Sequence, residues 1–164
     1  MKKLFVLAVL SILFSSCNKD EEPLLLTEGN NSNADYIVFG DFYGFCAGDQ
    51  CFNIFKITSN ALYENTTKEY PSPTEFYPST YIQLPQEKFE AVKSIYNATP
   101  SSLLSIEEGY IGCPDCADGG GIYFEYKKGD IHKHWLIDLV DQDLPEEIKH
   151  LVNQVYDATT TLKQ

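Results

Sequence analysis

The chain contains no arginine: all twelve of its basic residues are lysine, against 24 Asp and Glu, and its formal net charge is −12. An acidic chain is repelled by nucleic-acid phosphates, and without guanidinium it lacks the planar fork that reads phosphate bidentately. Nucleic acid is therefore excluded as a partner. The sequence also has no phosphate-binding glycine loop, no Ser-His-Asp arrangement and no defensible carboxylate pair. Calcium needs oxygen ligands at set spacing around a loop-forming glycine, and the acidic run "DLVDQDLPEE" has no such glycine. Asp138, Asp141, Asp143, Glu146 and Glu147 read instead as solvated and helix-capping residues. These absences point away from an enzyme.

Long apolar runs are equally scarce. The one of note, Leu4–Phe14, follows Lys2 and Lys3 and is interrupted only by Ser11. It is too short for a permanent transmembrane helix and has the flanks of a secretory signal. Ser15 and Ser16 then precede Cys17. Small-small-Cys behind an apolar run resembles the lipobox of bacterial lipoproteins, although Phe14 stands where Leu, Val or Ile is usual. That resemblance implies a signal peptide over 1–16 and a lipid on Cys17, anchoring the chain to a membrane. The following "NKDEE" is similar to the Lys-then-acids signal that directs lipoproteins of the Bacteroidota phylum to the cell surface. An outer-membrane lipoprotein exposed at the surface is the expectation. Loss of 1–16 removes two lysines, so the mature charge becomes −12 − 2 = −14.

Residues 17–34 read as an acidic tether, and 35–164 as one globular domain. "DYIVFGDFYGF" and "CFNIFKIT" have the aromatic and β-branched content of strands, and Ser59-Asn60 reads as a turn into a third. "YPSPTEFYPSTYIQLP" carries four prolines and cannot be a central strand for most of its length. Beyond Gln86 the period changes, with Phe89, Val92, Ile95 and Tyr96 on one helical face ended by Pro100. "GIYFEYKKGDIHKHWLIDL" predicts a hairpin around "KKGD". "LPEEIKHLVNQVYDA" predicts a helix opened by Leu144-Pro145, with Ile148, Leu151, Val152 and Val155 as its apolar stripe. The fold class is α+β, two helices on one face of an antiparallel sheet. Each half runs cysteine pair, hairpin, Leu-Pro, helix, an echo that raises an internal duplication.

Cys46, Cys51, Cys113 and Cys116 allow three disulfide pairings. Chain entropy favours crossing the pairs and close spacing favours local closure; local bridges pinning two loops beside the sheet are the adopted expectation. C-x4-C with C-x2-C could instead hold zinc as four thiolates, were the thiols reduced. "CPDC" could be a redox centre, but that chemistry wants a helix after the first cysteine, and "ADGGG" follows. His132 and His134, two apart on a strand, share one face and are a candidate metal pair, with His150 as a third ligand. The competing expectation is an exposed face, with Ile131, Lys133 and Trp135 on the other side. Asp115 and Asp118 beside the glycines are turn formers that could hold a cation. The aromatic runs "DFYGF" and "FYPSTY" are core, or a stacking surface for sugar or peptide if exposed.

"YIVFGDFYGFCAGDQCFNIFKI" and "GCPDCADGGGIYFEY" together resemble a group of small, uncharacterised Bacteroidota lipoproteins. The resemblance implies location and fold, and no activity or substrate. The expectation for function is a non-catalytic envelope lipoprotein, without a cofactor, that binds a protein or glycan partner. The alternative is a metal-binding or thiol-redox protein using the cysteine pairs.

Overall fold

The computed structural model describes residues 34–140 and 143–164. The expected signal peptide, Cys17 and nearly all of the expected tether lie outside the described residues, as does Asp141. Among those described, no helix is long and apolar enough to cross a membrane.

Seven strands form one sheet: β1 (Tyr36–Phe42), β2 (Phe52–Ile57), β3 (Leu62–Asn65), β4 (Tyr81–Gln83), β5 (Gly109–Ile111), β6 (Gly121–Lys128) and β7 (Ile131–Asp138), in the order β4-β3-β2-β1-β6-β7-β5. Every pairing is antiparallel except that of β5 with β7. α1 (Gln86–Val92), α2 (Ser101–Leu104) and α3 (Glu146–Leu162) complete the α+β architecture. Alternation of side chains along each strand divides the apolar residues between two faces. One face, including Ile37, Phe39, Ile57, Phe124 and Trp135, packs against Phe89 and Val92 of α1 and the stripe of α3.

The helical stripe beyond Gln86 is as its period predicts, but the helix is not continuous. At Val92 the backbone leaves α geometry, and Lys93–Asn97 form a 3-10 turn that still buries Ile95. Lys133, an awkward residue for the buried face, is accommodated because its Nζ donates to the Leu104 and Ile106 carbonyls at the C-terminal end of α2. Asp41 is fully buried at the far end of the same face. It accepts hydrogen bonds from Asn53 Nδ2 at 2.7 Å, Thr159 Oγ1 at 3.3 Å and Lys163 Nζ at 2.6 Å. These contacts tie the C-terminal end of α3 to the sheet, and they compensate a charge that burial alone would make costly.

The sequence echo between the halves does not extend to their placement. β2 and β6 both run antiparallel to β1, so they are parallel to each other, while their hairpin partners lie on opposite sides. A rotation exchanging the two hairpins would turn the sheet over and send the helices to opposite faces. Both helices lie on one face and touch each other.

The cysteines close locally, Cys46 with Cys51 and Cys113 with Cys116, at Cα separations of 5.6 and 5.5 Å. Both loops sit at one end of the sheet, between β1 and β2 and ahead of β6. The glycine run after Cys116 answers to packing. A Cβ on Gly120, at φ +75°, would lie 2.4 Å from the Tyr43 ring, and one on Gly121 would lie 2.4 Å from the Phe42 ring. Only glycine lets both rings close on this backbone.

Peptide mapping without reductant is expected to find Cys46–Cys51 and Cys113–Cys116 and no peptide joining the two pairs. Removing either bridge as a double Cys→Ala change should cost about 2 kcal/mol on the chain-entropy model. Mild reductant should open Cys113–Cys116 first, since both its residues are exposed whereas Cys51 is buried.

Candidate functional site

Among the described residues no helix lies over the second face of the sheet. Val38, Phe42, Ile54, Tyr123 and Leu136 would meet water there, but the proline-rich segment 66–80 crosses above them and places Tyr77 in their midst. Prolines at 71, 73 and 78 prevent this segment from pairing as a strand, so its backbone polar groups find side chains instead. Tyr77 donates its N–H to the Tyr123 hydroxyl at 3.1 Å. The Tyr77 hydroxyl donates to the Glu69 carbonyl at 2.6 Å and accepts the Glu69 N–H at 3.0 Å. Asn65 Nδ2 donates to the Pro78 carbonyl. The Tyr70 ring stands nearly perpendicular to those of Phe42 and Phe52, and its hydroxyl donates to Asp115.

Asp115 thus belongs to a latch rather than a cation site. Its carboxylate also accepts the backbone N–H groups of Gly44 at 3.0 Å and Gly120 at 3.2 Å, drawing together both disulfide loops and the proline segment. Asp138 similarly accepts the N–H groups of Cys113 and Val140.

Under the segment lies a polar cluster centred on Glu125, which is 3% exposed. Its Oε1 accepts from His132 Nε2 at 2.8 Å and from the Tyr36 hydroxyl at 3.2 Å; Oε2 accepts from the Tyr123 hydroxyl at 2.7 Å. A carboxylate only accepts, so His132 presents Nε2–H to it. The ring of His132 stacks on Phe76 with centroids 3.6 Å apart and planes 3° from parallel. Phe76 remains 43% exposed.

His132 and His134 do share a face, as their spacing predicts, and that face is covered rather than exposed. They turn to different partners. His134 is buried; its Nε2 donates to the Ser72 carbonyl at 3.2 Å, and its Nδ1 stands 3.5 Å from Glu108. His150 lies on α3, across the sheet, and does not join them. Among the described residues no three His, Cys, Asp or Glu side chains converge as a metal set. The four domain cysteines are engaged in bridges rather than gathered as thiolates. After Cys113 the chain passes through Asp115, Ala117 and Asp118 at positive φ, so no helix dipole bears on that sulfur.

Beside Glu125 a cavity of about 180 Å³ opens between sheet and segment. Val38 is its floor, Tyr36, Phe76, Tyr77 and Tyr81 are its aromatic walls, and Lys56 and His132 reach in from opposite sides. Lys56 holds its ammonium over the rings of Tyr81, Tyr63 and Tyr36, at 4.5, 5.2 and 5.6 Å from their centroids. A larger hollow of about 330 Å³ adjoins the end of α3, but its lysines are committed: Lys68 to Glu64, Lys88 to the Leu162 carbonyl and Lys163 to Asp41.

Of these residues, sequence reasoning singled out only the histidines and the aromatic run. Glu125 and Lys56 escape notice because each stands singly between apolar neighbours in its strand. Such a residue on a strand covered on both faces is itself the signal that could have found them.

No family model matches the chain, and no curated protein or solved structure matches it.

Burial raises the phenol pKa of Tyr36 from 10.0 to about 12, helped by the charge of Glu125, and burial does the same for Tyr77. Tyr123, hydrogen-bonded to Glu125 and deeper, is raised further in the same direction. Such phenols stabilise the fold fully below the unfolded value, and that contribution is lost as pH rises through the folded one. Urea unfolding followed with tyrosinate absorbance should therefore show stability falling as pH climbs from 10.0 towards about 12. Titration of every phenol near 10.0 in the folded protein would contradict this assignment.

Proposed function

We propose that the chain is a lipid-anchored protein of the bacterial cell envelope, displayed at the surface through Cys17. Its domain acts as a non-catalytic binding module for a glycan group. The sequence features around Cys17 support the address, and the acidic tether that follows gives the domain reach from the membrane. The observation that carries the binding reading is the roofed cavity beside Glu125, with aromatic walls that include the partly exposed Phe76. Aromatic faces offer apolar area to the C–H side of a sugar ring, and a few placed polar groups fix its orientation. At about 180 Å³ the cavity is smaller than the roughly 300–1,000 Å³ of sites for drug-sized ligands. It suits one sugar residue of a longer chain, with the remainder outside.

The cluster lacks what hydrolysis would ask of it. Glu125 accepts three hydrogen bonds from the protein's own side chains, so it orients the phenols and the imidazole. The disulfide loops and the Asp115 latch hold one end of the proline segment and keep the cavity formed before a ligand arrives, which lowers the ordering cost of binding.

Two experiments bear on the two parts of this proposal. Cys17→Ser should abolish labelling by fatty acid and move the protein from the membrane fraction to the soluble one; retention of both label and membrane association would overturn the anchor. Using that soluble form, binding to immobilised polysaccharides should weaken about three- to tenfold on Phe76→Ala, the worth of one stacking contact. A variant that binds as tightly as the parent would remove the cavity from the proposal.

A further inference from the structure

The strand register places two opposite charges on either side of the cavity. Val38 of β1 is paired with Lys56 on β2 and with Glu125 on β6. The three side chains share one face, with Val38 in the middle and charged residues flanking it. Neighbouring strands lie about 4.8 Å apart, so the Cα atoms of Lys56 and Glu125 are roughly 10 Å apart across the floor. The cavity is thus polarised along the row, cationic at one end and anionic at the other.

The two ends differ in how far the protein has satisfied them. Glu125 has three donors of its own, and a carboxylate offers about four lone-pair sites. It has room for one more neutral donor, such as a hydroxyl. Lys56 is in the opposite condition. Among the described residues no carboxylate oxygen lies within 4.0 Å of its Nζ, whereas Lys68, Lys93 and Lys163 each have one. Among the described residues its ammonium rests on ring faces. In a chain with a net charge of −12, acids are abundant, yet none of the described ones reaches this half-buried lysine at the mouth of the cavity. Three N–H donors are held there by aromatic walls, which attract a cation without consuming its hydrogen-bonding capacity.

We infer that the cavity binds a carboxylate-bearing sugar, a uronic acid residue or its like, with the acid on Lys56 and a ring hydroxyl on Glu125. This inference rests on the glycan reading of the same cavity and adds the charge of the ligand. The carboxylate supplies the counter-charge that Lys56 lacks. The sugar ring lies over Val38 between the Tyr81 and Phe76 walls, and the hydroxyl takes the remaining acceptor site of Glu125.

The test is calorimetric titration of the Cys17→Ser protein with glucuronate and galacturonate against glucose and galactose, at low and moderate salt. A hydrogen bond to a charged group contributes about 1.5–3 kcal/mol, so each acid should bind at least about tenfold more tightly than its neutral counterpart. The preference should shrink as salt rises. Lys56→Met keeps an unbranched side chain of similar length and removes the charge, so it should bring the ratio of acid to neutral affinity near one. Equal binding of acid and neutral sugars by the parent protein would overturn the inference and leave the glycan reading standing. Binding of neither kind would overturn both. An acid preference that survives in Lys56→Met would move the carboxylate away from Lys56. The parent comparison alone decides the charge preference, so a poorly folded variant does not rescue it.

Discussion

A sheet has two faces, and both must be covered if their apolar side chains are to leave water. Here α1 and α3 cover one, and a segment that is neither helix nor strand covers the other. That segment brings backbone N–H and C=O groups into a buried layer with no ladder to join. The sheet answers with side chains: the Tyr123 hydroxyl receives the Tyr77 amide, Asn65 reaches the Pro78 carbonyl, and His134 reaches that of Ser72. Glu125 stands behind these contacts, holding the hydroxyls of Tyr123 and Tyr36 and the imidazole of His132 in fixed directions. A buried carboxylate is tolerated at that point because three donors surround it. The phenols it holds, and Tyr77 above them, are in turn kept protonated by their burial.

The same constraint makes the cavity. A segment stiffened by prolines and pinned by a few contacts cannot follow the sheet as closely as a helix stripe does, and the gap opens where Val38 presents a small floor between larger neighbours. Its walls are aromatic because tyrosine and phenylalanine are the principal bulky stock of the domain. It is charged at both ends because the register sets Lys56 and Glu125 on either side of Val38. The disulfide loops contribute at a distance, through Asp115, which fastens them to Tyr70 at one end of the segment.

Local pattern made much of the fold legible. The hairpin of β6 and β7 announced itself by its turn, and α3 by Leu144-Pro145 and a stripe that the structure buries throughout. The shared face of His132 and His134 followed from a two-residue spacing. What local pattern does not carry is partnership across long separations. Tyr36 and Glu125 are 89 residues apart, and nothing near either names the other. The four prolines rightly removed their segment from the sheet interior, but they do not say which surface it covers, so the histidine face seemed free to be exposed. Lys133 looked misplaced until the carbonyls at the C-terminal end of α2 came within its reach. β5 is only three residues long and pairs in parallel, too short for periodicity to register. The local cysteine bridges were decided by loop geometry that spacing alone leaves open.

The central claim is that the proline segment is a fixed roof whose backbone is bonded to the sheet through tyrosine side chains. Native-state amide hydrogen exchange at Tyr77 and Glu69 tests it most directly, since both N–H groups donate to phenol oxygens in this layer. The account predicts that these two amides exchange about as slowly as those of β6, and that both speed up together in Tyr123→Phe, which removes the acceptor for Tyr77. Exchange of both at the rate of an exposed loop, unaffected by that change, would contradict it and leave the second face of the sheet without its cover.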